Sequence, residues 1–243
     1  IRRQRQMCIR DSMHFDHCGS AGLLKREFPS LQICASGEGA AIIRKPSAIE
    51  LITKLNDFGQ KAGTTFEPFR VDRVIADGEE IRISRDRTVR AYKTPGHTRD
   101  MLSYYIPEIR ALFPSESAGV PGQGDYIFSE FLIDYDVYLR SLERLSILDV
   151  EALILAHGLY YTGDDARRYI PRAIESTVRF RERIETLLGE HGDDFDAVAS
   201  IIRRDEYDPL DGDKQPERAY MINLAAKIRV IARRINGMHT VSA

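Results

Sequence analysis

Apolar residues recur along this chain with two different spacings, and the spacing changes near residue 70. Before that point they return every three or four residues, which is typical of one face of an amphipathic helix. Helices are therefore predicted over Ala21–Phe28 and Gly37–Phe58, the second interrupted at Pro46, with a strand over Leu31–Ala35 between them. After residue 70 the apolar positions alternate, and this alternation predicts the strands Val71–Ile75, Glu80–Ser84, Thr88–Lys93, Met101–Ile106 and Arg110–Phe113.

The second half of the chain returns to the helical spacing. A helix with Asp134 as its expected N-cap is followed by the apolar strand Ala152–Ala156. From Asp164 onward the pattern is almost wholly helical, with helices predicted at Ile170–Ile184, Phe195–Arg203 and Glu217–Ile235. The alternation of strands and helices predicts an α/β domain over residues 13–163, and residues 164–243 are predicted to form a helical C-terminal region.

The first twelve residues, IRRQRQMCIRDS, differ from the rest of the chain. They hold four arginines and show neither a helical nor a strand period, so we expect no folded element before Met13. The run also resembles the translated adapter sequence found at the ends of gene models from environmental DNA. On this interpretation residues 1–12 are a non-native leader, and the α/β domain begins at Met13.

Composition narrows the possible partners. The 35 basic and 37 acidic residues give a formal net charge of −2, so no strong field of one sign favours nucleic acid, and a small-molecule substrate is expected. The longest apolar runs are far shorter than the roughly 20 residues of a membrane helix. The three cysteines, Cys8, Cys18 and Cys34, form neither a CxxC pair nor an even set, which favours a reducing, cytoplasmic location. The oligomeric state is left open.

Four of the six histidines fall at boundaries of predicted elements, where loops bring side chains into a common cleft: His14, His17, His97 and His157. The run that holds the first two also holds Asp16. Its extended part directs residues two apart to the same side, and the following turn directs Asp16 and His17 elsewhere, so one segment can supply two metals. Imidazole and carboxylate ligands suit zinc, and also iron or manganese.

Three runs, in this order, resemble the motifs of the metallo-β-lactamase superfamily. Residues 12–17 resemble its HxHxDH motif, TPGHT at residues 94–98 resembles its second histidine loop, and LAHG at residues 155–158 resembles its last. The resemblance covers roughly residues 13–163. It implies the αββα sandwich of that family, with its N-terminal strands missing, and a hydrolase with two divalent metal ions.

The same resemblance implies a division of the ligands. His14 and His97 would bind one metal, and Asp16, His17 and His157 would bind the other. A water between the metals would have its pKa lowered toward about 7 and would supply hydroxide without a protein nucleophile. Asp16 is also a candidate catalytic residue, which would take a proton during product release.

Two positions depart from the family pattern. Ser12 stands where the first motif histidine is expected, and we attribute this to truncation and not to evolved loss. The bridging aspartate falls in FPSES at residues 113–117, where Glu116 is the only acid and is our predicted bridging ligand. The alternatives are that Glu116 is a solvated loop acid, or that Asp125 replaces it.

Side chains next to the ligands have simpler interpretations as well. Cys18 follows a ligand, but a small apolar use is expected in preference to a thiolate ligand. Tyr160 and Tyr161 follow His157 and are candidate substrate-binding residues, with aromatic core packing as the alternative.

The helical C-terminal region bears on the substrate. It is similar to that of glyoxalase II and the acyl-thioesterases of the superfamily, which implies hydrolysis of a thioester of the acyl-CoA or glutathione type. Lactone hydrolysis is the alternative within the same fold. A non-catalytic ligand-binding or scaffold member with an impaired metal site is the alternative from another class, suggested by Ser12 together with Glu116.

Overall fold

Two main β-sheets pack against each other in the computed structural model, which describes residues 7–59, 65–122, 124–212 and 214–241. The strands are β1 (Met7–Ile9), β2 (Gln32–Ser36), β3 (Arg73–Ile75), β4 (Glu80–Arg82), β5 (Thr88–Lys93), β6 (Leu102–Ile106), β7 (Ala111–Phe113), β8 (Val120–Pro121), β9 (Ile127–Phe128), β10 (Ala152–Ile154) and β11 (Tyr160–Thr162). The helices are α1 (Phe15–Cys18), α2 (Ala21–Glu27), α3 (Gly37–Ile42), α4 (Pro46–Gly59), α5 (Tyr135–Ser146), α6 (Gly163–His191), α7 (Phe195–Glu206) and α8 (Glu217–Val241).

The two sheets differ in strand direction. The first is parallel, with the order β1-β2-β3. The second has the order β11-β10-β7-β6-β5-β4, in which β10 and β7 are parallel and the other neighbours are antiparallel. Strands β8 and β9 form a separate antiparallel ribbon. Because β7 and β10 are adjacent and run in the same direction, the segments that follow them leave the sheet at the same edge.

Buried apolar side chains form three core clusters. Cys34 and Ile75 of the first sheet contact Val89 and Leu102 of the second. A second cluster joins the first sheet to α1–α4, and the largest joins the second sheet to α5–α8. The order of layers, helix–sheet–sheet–helix, confirms the predicted αββα sandwich with its helical C-terminal region. Within the described residues, no helix is both long and apolar enough to cross a membrane.

Local sequence explains several boundaries. α3 ends at Ile42 and α4 begins at Pro46, as predicted, because proline lacks the N–H that a helix interior requires but is suited to a first turn. The carboxylate of Asp134 accepts a hydrogen bond from the amide of Val137 at 2.8 Å, which confirms it as the N-cap of α5.

The prediction that the first twelve residues form no folded element is wrong for Met7–Ile9, which forms β1. This strand pairs with β2, with Cys8 opposite Ile33. The arginine-rich run around β1 shows no alternation, so its pairing with β2 and not its sequence pattern defines it; the spacing likewise does not predict β8, β9 or β11. Residues 1–6 lie outside the described residues. The origin of the leader and the domain boundary at residue 163 remain predictions.

Gly96 allows the loop after β5 to lie against α5. Its φ is +132°, and a Cβ there would lie 2.5 Å from the Cα of Tyr138. Its carbonyl also accepts hydrogen bonds from the amides of Leu132 and Ile133, at 3.1 and 2.9 Å. The next residue is His97, so this close contact places a predicted ligand.

The substitution Gly96→Ala is expected to lower the free energy of unfolding by about 3 kcal/mol, because it adds both backbone strain and a clash with α5. Gly78→Ala is the matched control, since Gly78 also has a positive φ, +76°, but a Cβ there would meet open space. The control should cost only about 1 kcal/mol. Denaturant unfolding measures both, and equal losses would contradict the role of the Gly96–Tyr138 contact.

Candidate metal centre

The predicted ligands lie where elements begin or end. Glu116 lies in a 3-10 turn directly after β7, and His157 lies in a 3-10 turn after β10. Because those strands are parallel neighbours, the two side chains come together. His14 immediately precedes α1, Asp16 and His17 lie within it, and His97 lies in the loop between β5 and β6.

One cluster of possible ligands comprises His14, Asp16 and His17, with one atom of each lying within 4.8 Å of the others. His14 Nδ1 lies 3.0 Å from Asp16 Oδ1, and His17 Nε2 lies 3.7 Å from Asp16 Oδ2. The ring of His97 lies 5.4 Å from the ring of His14, centroid to centroid. The first motif and the second histidine loop therefore meet, as expected from the sequence.

A second cluster comprises His17, Glu116 and His157, again with ligand atoms within 4.8 Å of one another. Glu116 Oε1 lies 2.8 Å from His17 Nε2 and 3.1 Å from His157 Nε2. His17 belongs to both clusters. The two clusters together hold imidazole and carboxylate donors, with a carboxylate between two histidines, which are ligand types that suit zinc.

The charges of the second cluster are matched. Burial raises the pKa of the Glu116 carboxyl, but hydrogen bonds with His157 and His17 outweigh this and hold it far below its usual range. Burial lowers the pKa of His17, but hydrogen bonds with Asp11 and Glu116 outweigh this and raise it to about 11. The hydrogen bond with Glu116 also raises the pKa of His157. Without metal, the protonated imidazole of His17 therefore balances the buried carboxylate.

His97 is oriented by a backbone carbonyl. Its side chain is 3% exposed, and its Nδ1 lies 2.9 Å from the carbonyl oxygen of Glu130, so Nδ1 carries the proton. Its Nε2 is buried and has no hydrogen-bond partner among the described residues. Burial lowers the pKa of His97, which favours the neutral imidazole that binds metals. An unpartnered, neutral imidazole nitrogen beside His14 is what a bound metal would satisfy, so the donor set fits the implied ions.

The backbone is left-handed at two positions of the site. Among described residues other than glycine, Ser115 (φ 52°) and His157 (φ 64°) are two of the three with positive φ. Each such residue costs about 1–2 kcal/mol and persists where surrounding contacts require it. Ser115 turns the chain so that Glu116 enters the cluster, and its hydroxyl donates to Glu116 Oε2 at 2.6 Å.

Ser12, at the position of the first motif histidine, is buried, and its hydroxyl accepts a hydrogen bond from the amide of His14 at 3.4 Å. The neighbouring Asp11 contacts the site instead: its Oδ2 lies 3.0 Å from His17 Nδ1. The sequence pattern did not reveal Asp11, because this residue lies in the run that was interpreted as a leader. It also missed Glu130, which acts on His97 through its main chain and carries no side-chain signature.

Two alternatives for the ligand set can be compared with this geometry. Asp125 is 96% exposed at its side chain and pairs with Arg172 Nη2 at 2.7 Å, whereas Glu116 contacts two histidines. Cys18 is fully buried, and burial raises the pKa of its thiol to about 12, which agrees with an apolar use. All three cysteines are free and buried.

The tyrosines after His157 lie on β11. Tyr160 is 73% exposed, and Tyr161 packs against Tyr169 of α6 with ring centroids 5.2 Å apart. A substrate-binding role for Tyr160 and Tyr161 remains a prediction. A cavity of about 620 Å³ adjoins the cluster, lined by Asp16, His17 and His157 and by apolar side chains of the second sheet.

The chain belongs to the metallo-β-lactamase superfamily, because the model of that family matches residues 13–157. Two of its relatives are a hydroxyacylglutathione hydrolase from Brucella anthropi, 32% identical over 45% of this chain and 39% of that protein, and glyoxylase B2 from Dictyostelium discoideum, 33% identical over 46% and 35%. These matches span less than two-fifths of each relative.

Solved structures share the fold. A superfamily protein from Thermus thermophilus superposes with a TM-score of 0.63 at 19% identity, over 96% of this chain and 75% of its own. An archaeal superfamily protein from Sulfolobus tokodaii gives 0.61 at 16% identity, over 94% and 80%. The likeness therefore extends over the C-terminal helices.

Zinc affinity is expected to rise with pH from about pH 6 to pH 9. The pKa of His17, raised to about 11, means that the metal-free site holds a proton at neutral pH, and binding must release it; the raised pKa of His157 acts in the same direction. Competition with a chromophoric chelator measures the slope, and titration calorimetry in buffers of different ionisation heat counts the protons. His191→Gln, a change of an exposed histidine at the end of α6, should leave the slope unchanged. An affinity that does not vary with pH would contradict the proposed ligands.

Proposed function

We propose that this protein is a metal-dependent hydrolase that cleaves a thioester of the acyl-CoA or glutathione type. The observation that carries the proposal is the pair of ligand clusters joined through His17, with the carboxylate of Glu116 between His17 and His157. His14 and His97 would hold one metal, and Asp16, His17 and His157 would hold the other. Zinc suits these ligands best, with iron or manganese as alternatives.

Two divalent ions, when bound, would supply a hydroxide at neutral pH and polarise the carbonyl of the substrate. Glu116 is proposed as the bridging ligand; its Oε1 already contacts His17 and His157, both proposed ligands of the second metal. The carbonyl of Glu130 holds His97 with its Nε2 directed away from that bond. Ser115 donates to the other oxygen of Glu116 and so fixes the rotation of its carboxylate.

Asp16 is proposed to accept a proton as product leaves. Burial raises the pKa of its carboxyl, but the hydrogen bond with His14 outweighs this and lowers it, so the group is ionised at neutral pH. Its side chain is 34% exposed, which gives Asp16 Oδ2 a path for passing the proton to solvent.

The thioester specificity rests on two observations. One is the named activity of the Brucella relative, and the other is the helical region α6–α8, which packs on the second sheet and reaches the segments beside the site. A small-molecule substrate and a cytoplasmic location belong to the same proposal. The alternatives, a lactonase or a non-catalytic binding protein, give different results in the same assay.

The zinc-loaded protein is expected to hydrolyse a glutathione thioester or an acyl-CoA with a kcat/KM at least tenfold above that for an aliphatic lactone. Thiol release measured with a chromogenic disulfide reports the thioesters, and proton release reports the lactone. Faster lactone cleavage would overturn the substrate class alone. Two bound metals without turnover of any substrate would identify a non-catalytic member.

The substitution Glu116→Gln should lower kcat/KM by at least about 100-fold and should reduce the bound metal. Changes of residues that only support metal ligands cost up to about 100-fold, and the loss of a ligand should cost at least as much. Its control is Asp125→Asn, which neutralises an exposed acid that pairs with Arg172. The control should keep activity and metal content. Metal analysis by atomic emission accompanies the kinetics, and a Glu116→Gln protein with full metal content and activity would rule out the bridging role.

A further inference from the structure

A buried lysine of the C-terminal helix α8 lies behind the metal centre. Lys227 is 3% exposed, and its Nζ donates to the carbonyl of Ser129 at 2.9 Å and lies 3.1 Å from Glu130 Oε1. The Nζ also lies 5.4 Å from the centroid of the Phe180 ring, within the range of a cation–π contact. The three N–H groups of this ammonium thus face three partners, which are the carbonyl of Ser129, the carboxylate of Glu130 and the ring of Phe180.

Glu130 is the residue whose carbonyl orients His97. Its own side chain is 8% exposed and takes a second hydrogen bond, from Asn223 Nδ2 of α8 to Oε2 at 3.2 Å. The preceding residue is held as well, because the hydroxyl of Ser129 lies 2.9 Å from that of Thr177 on α6. Helices α6 and α8 therefore hold both residues, Ser129 and Glu130, of the segment that contacts His97.

A buried ion pair is a weak source of stability, since removing two charges from water costs several kcal/mol per ion and well-packed apolar groups often serve as well. Such a pair is better suited to fixing one arrangement of the groups around it. Here it fixes the peptide next to His97 Nδ1. The hydrogen bond on the outer nitrogen of a metal-binding histidine sets its tautomer, its ring orientation and its basicity.

We propose that Lys227 is a positioning residue for the metal centre, which acts by holding the Ser129–Glu130 segment so that the Glu130 carbonyl keeps His97 in the Nδ1–H tautomer with Nε2 free for metal. This inference rests on the proposed metal centre. The C-terminal helices would then have a second role besides covering the sheet, because α8 is linked to His97 through the buried side chain of Lys227.

The test uses Lys227→Met in the full chain, with Arg234→Met as the matched control. Arg234 also lies on α8 and forms ion pairs, with Asp136 and Glu185, but these lead to α5 and α6 and not to His97. Lys227→Met is expected to weaken zinc binding by about tenfold or more and to shift the visible spectrum of the cobalt-substituted protein. The control should bind zinc and absorb as the unchanged chain does.

A second variant, Lys227→Met/Glu130→Leu, keeps the test decisive if the lone methionine change prevents folding by leaving Glu130 unpaired. Its buried groups are apolar, so it should fold, as checked by circular dichroism, and it should still bind zinc more weakly. A folded variant with unchanged affinity and cobalt spectrum would overturn the proposal. So would a control that loses as much affinity, because the effect would then be a general loosening of α8.

A metal-free measurement separates this inference from the proposed function. Long-range ¹⁵N–¹H spectra of the imidazole groups, assigned with His97→Gln, should show His97 protonated at Nδ1 in the unchanged chain and as a mixture of tautomers in the Lys227 variants. An unchanged tautomer would overturn the positioning role whether or not the protein binds zinc. An unchanged chain that binds no zinc would instead refute the metal centre itself.

Discussion

The site depends on how the protein accommodates the carboxylate of Glu116 in its interior. A buried charge without a partner costs several kcal/mol. The carboxylate is therefore stable only when the ends of β7 and β10 and the helix α1 are arranged so that His157 and His17 contact Glu116. Protonated His17 provides the opposite charge in the metal-free chain, and divalent ions would provide it in the loaded protein. The same geometry is therefore electrostatically consistent in both states, which allows the site to form before metal arrives.

Sequence pattern and local chemistry predicted most of the elements. The helix boundary at Pro46, the N-cap at Asp134 and the three C-terminal helices follow from local chemistry that acts within a few residues. β1 and β11 do not, because their runs show no alternating pattern and their backbone groups are satisfied by a neighbouring strand. The segment before Met13 looked unstructured for that reason, although Met7–Ile9 forms a strand of the first sheet.

The candidate ligands occur in the sequence as ordered motifs, and the structure brings His14, Asp16, His17, His97, Glu116 and His157 together. The groups that orient these side chains were not predictable from the sequence. The bond from His97 reaches a main-chain oxygen that every residue type possesses, and Lys227 contacts Glu130 from 97 positions along the chain. Motifs record which side chains bind, whereas the groups that orient them depend on packing between distant elements. The family match, which ends at residue 157, accordingly does not extend to α8.

The long separation between α8 and the loop that it fixes also orders events during synthesis. Both sheets can collapse once residue 162 has emerged from the ribosome, since every strand within the described residues precedes α6. The contacts of Lys227 with Ser129 and Glu130, and of Arg234 with Asp136, close loops of almost one hundred residues and form only after α8 is complete. A nascent chain would thus pass through a stage in which the candidate ligands have emerged but the Ser129–Glu130 segment beside His97 is not yet fixed. Docking of α8 would then set the orientation of His97.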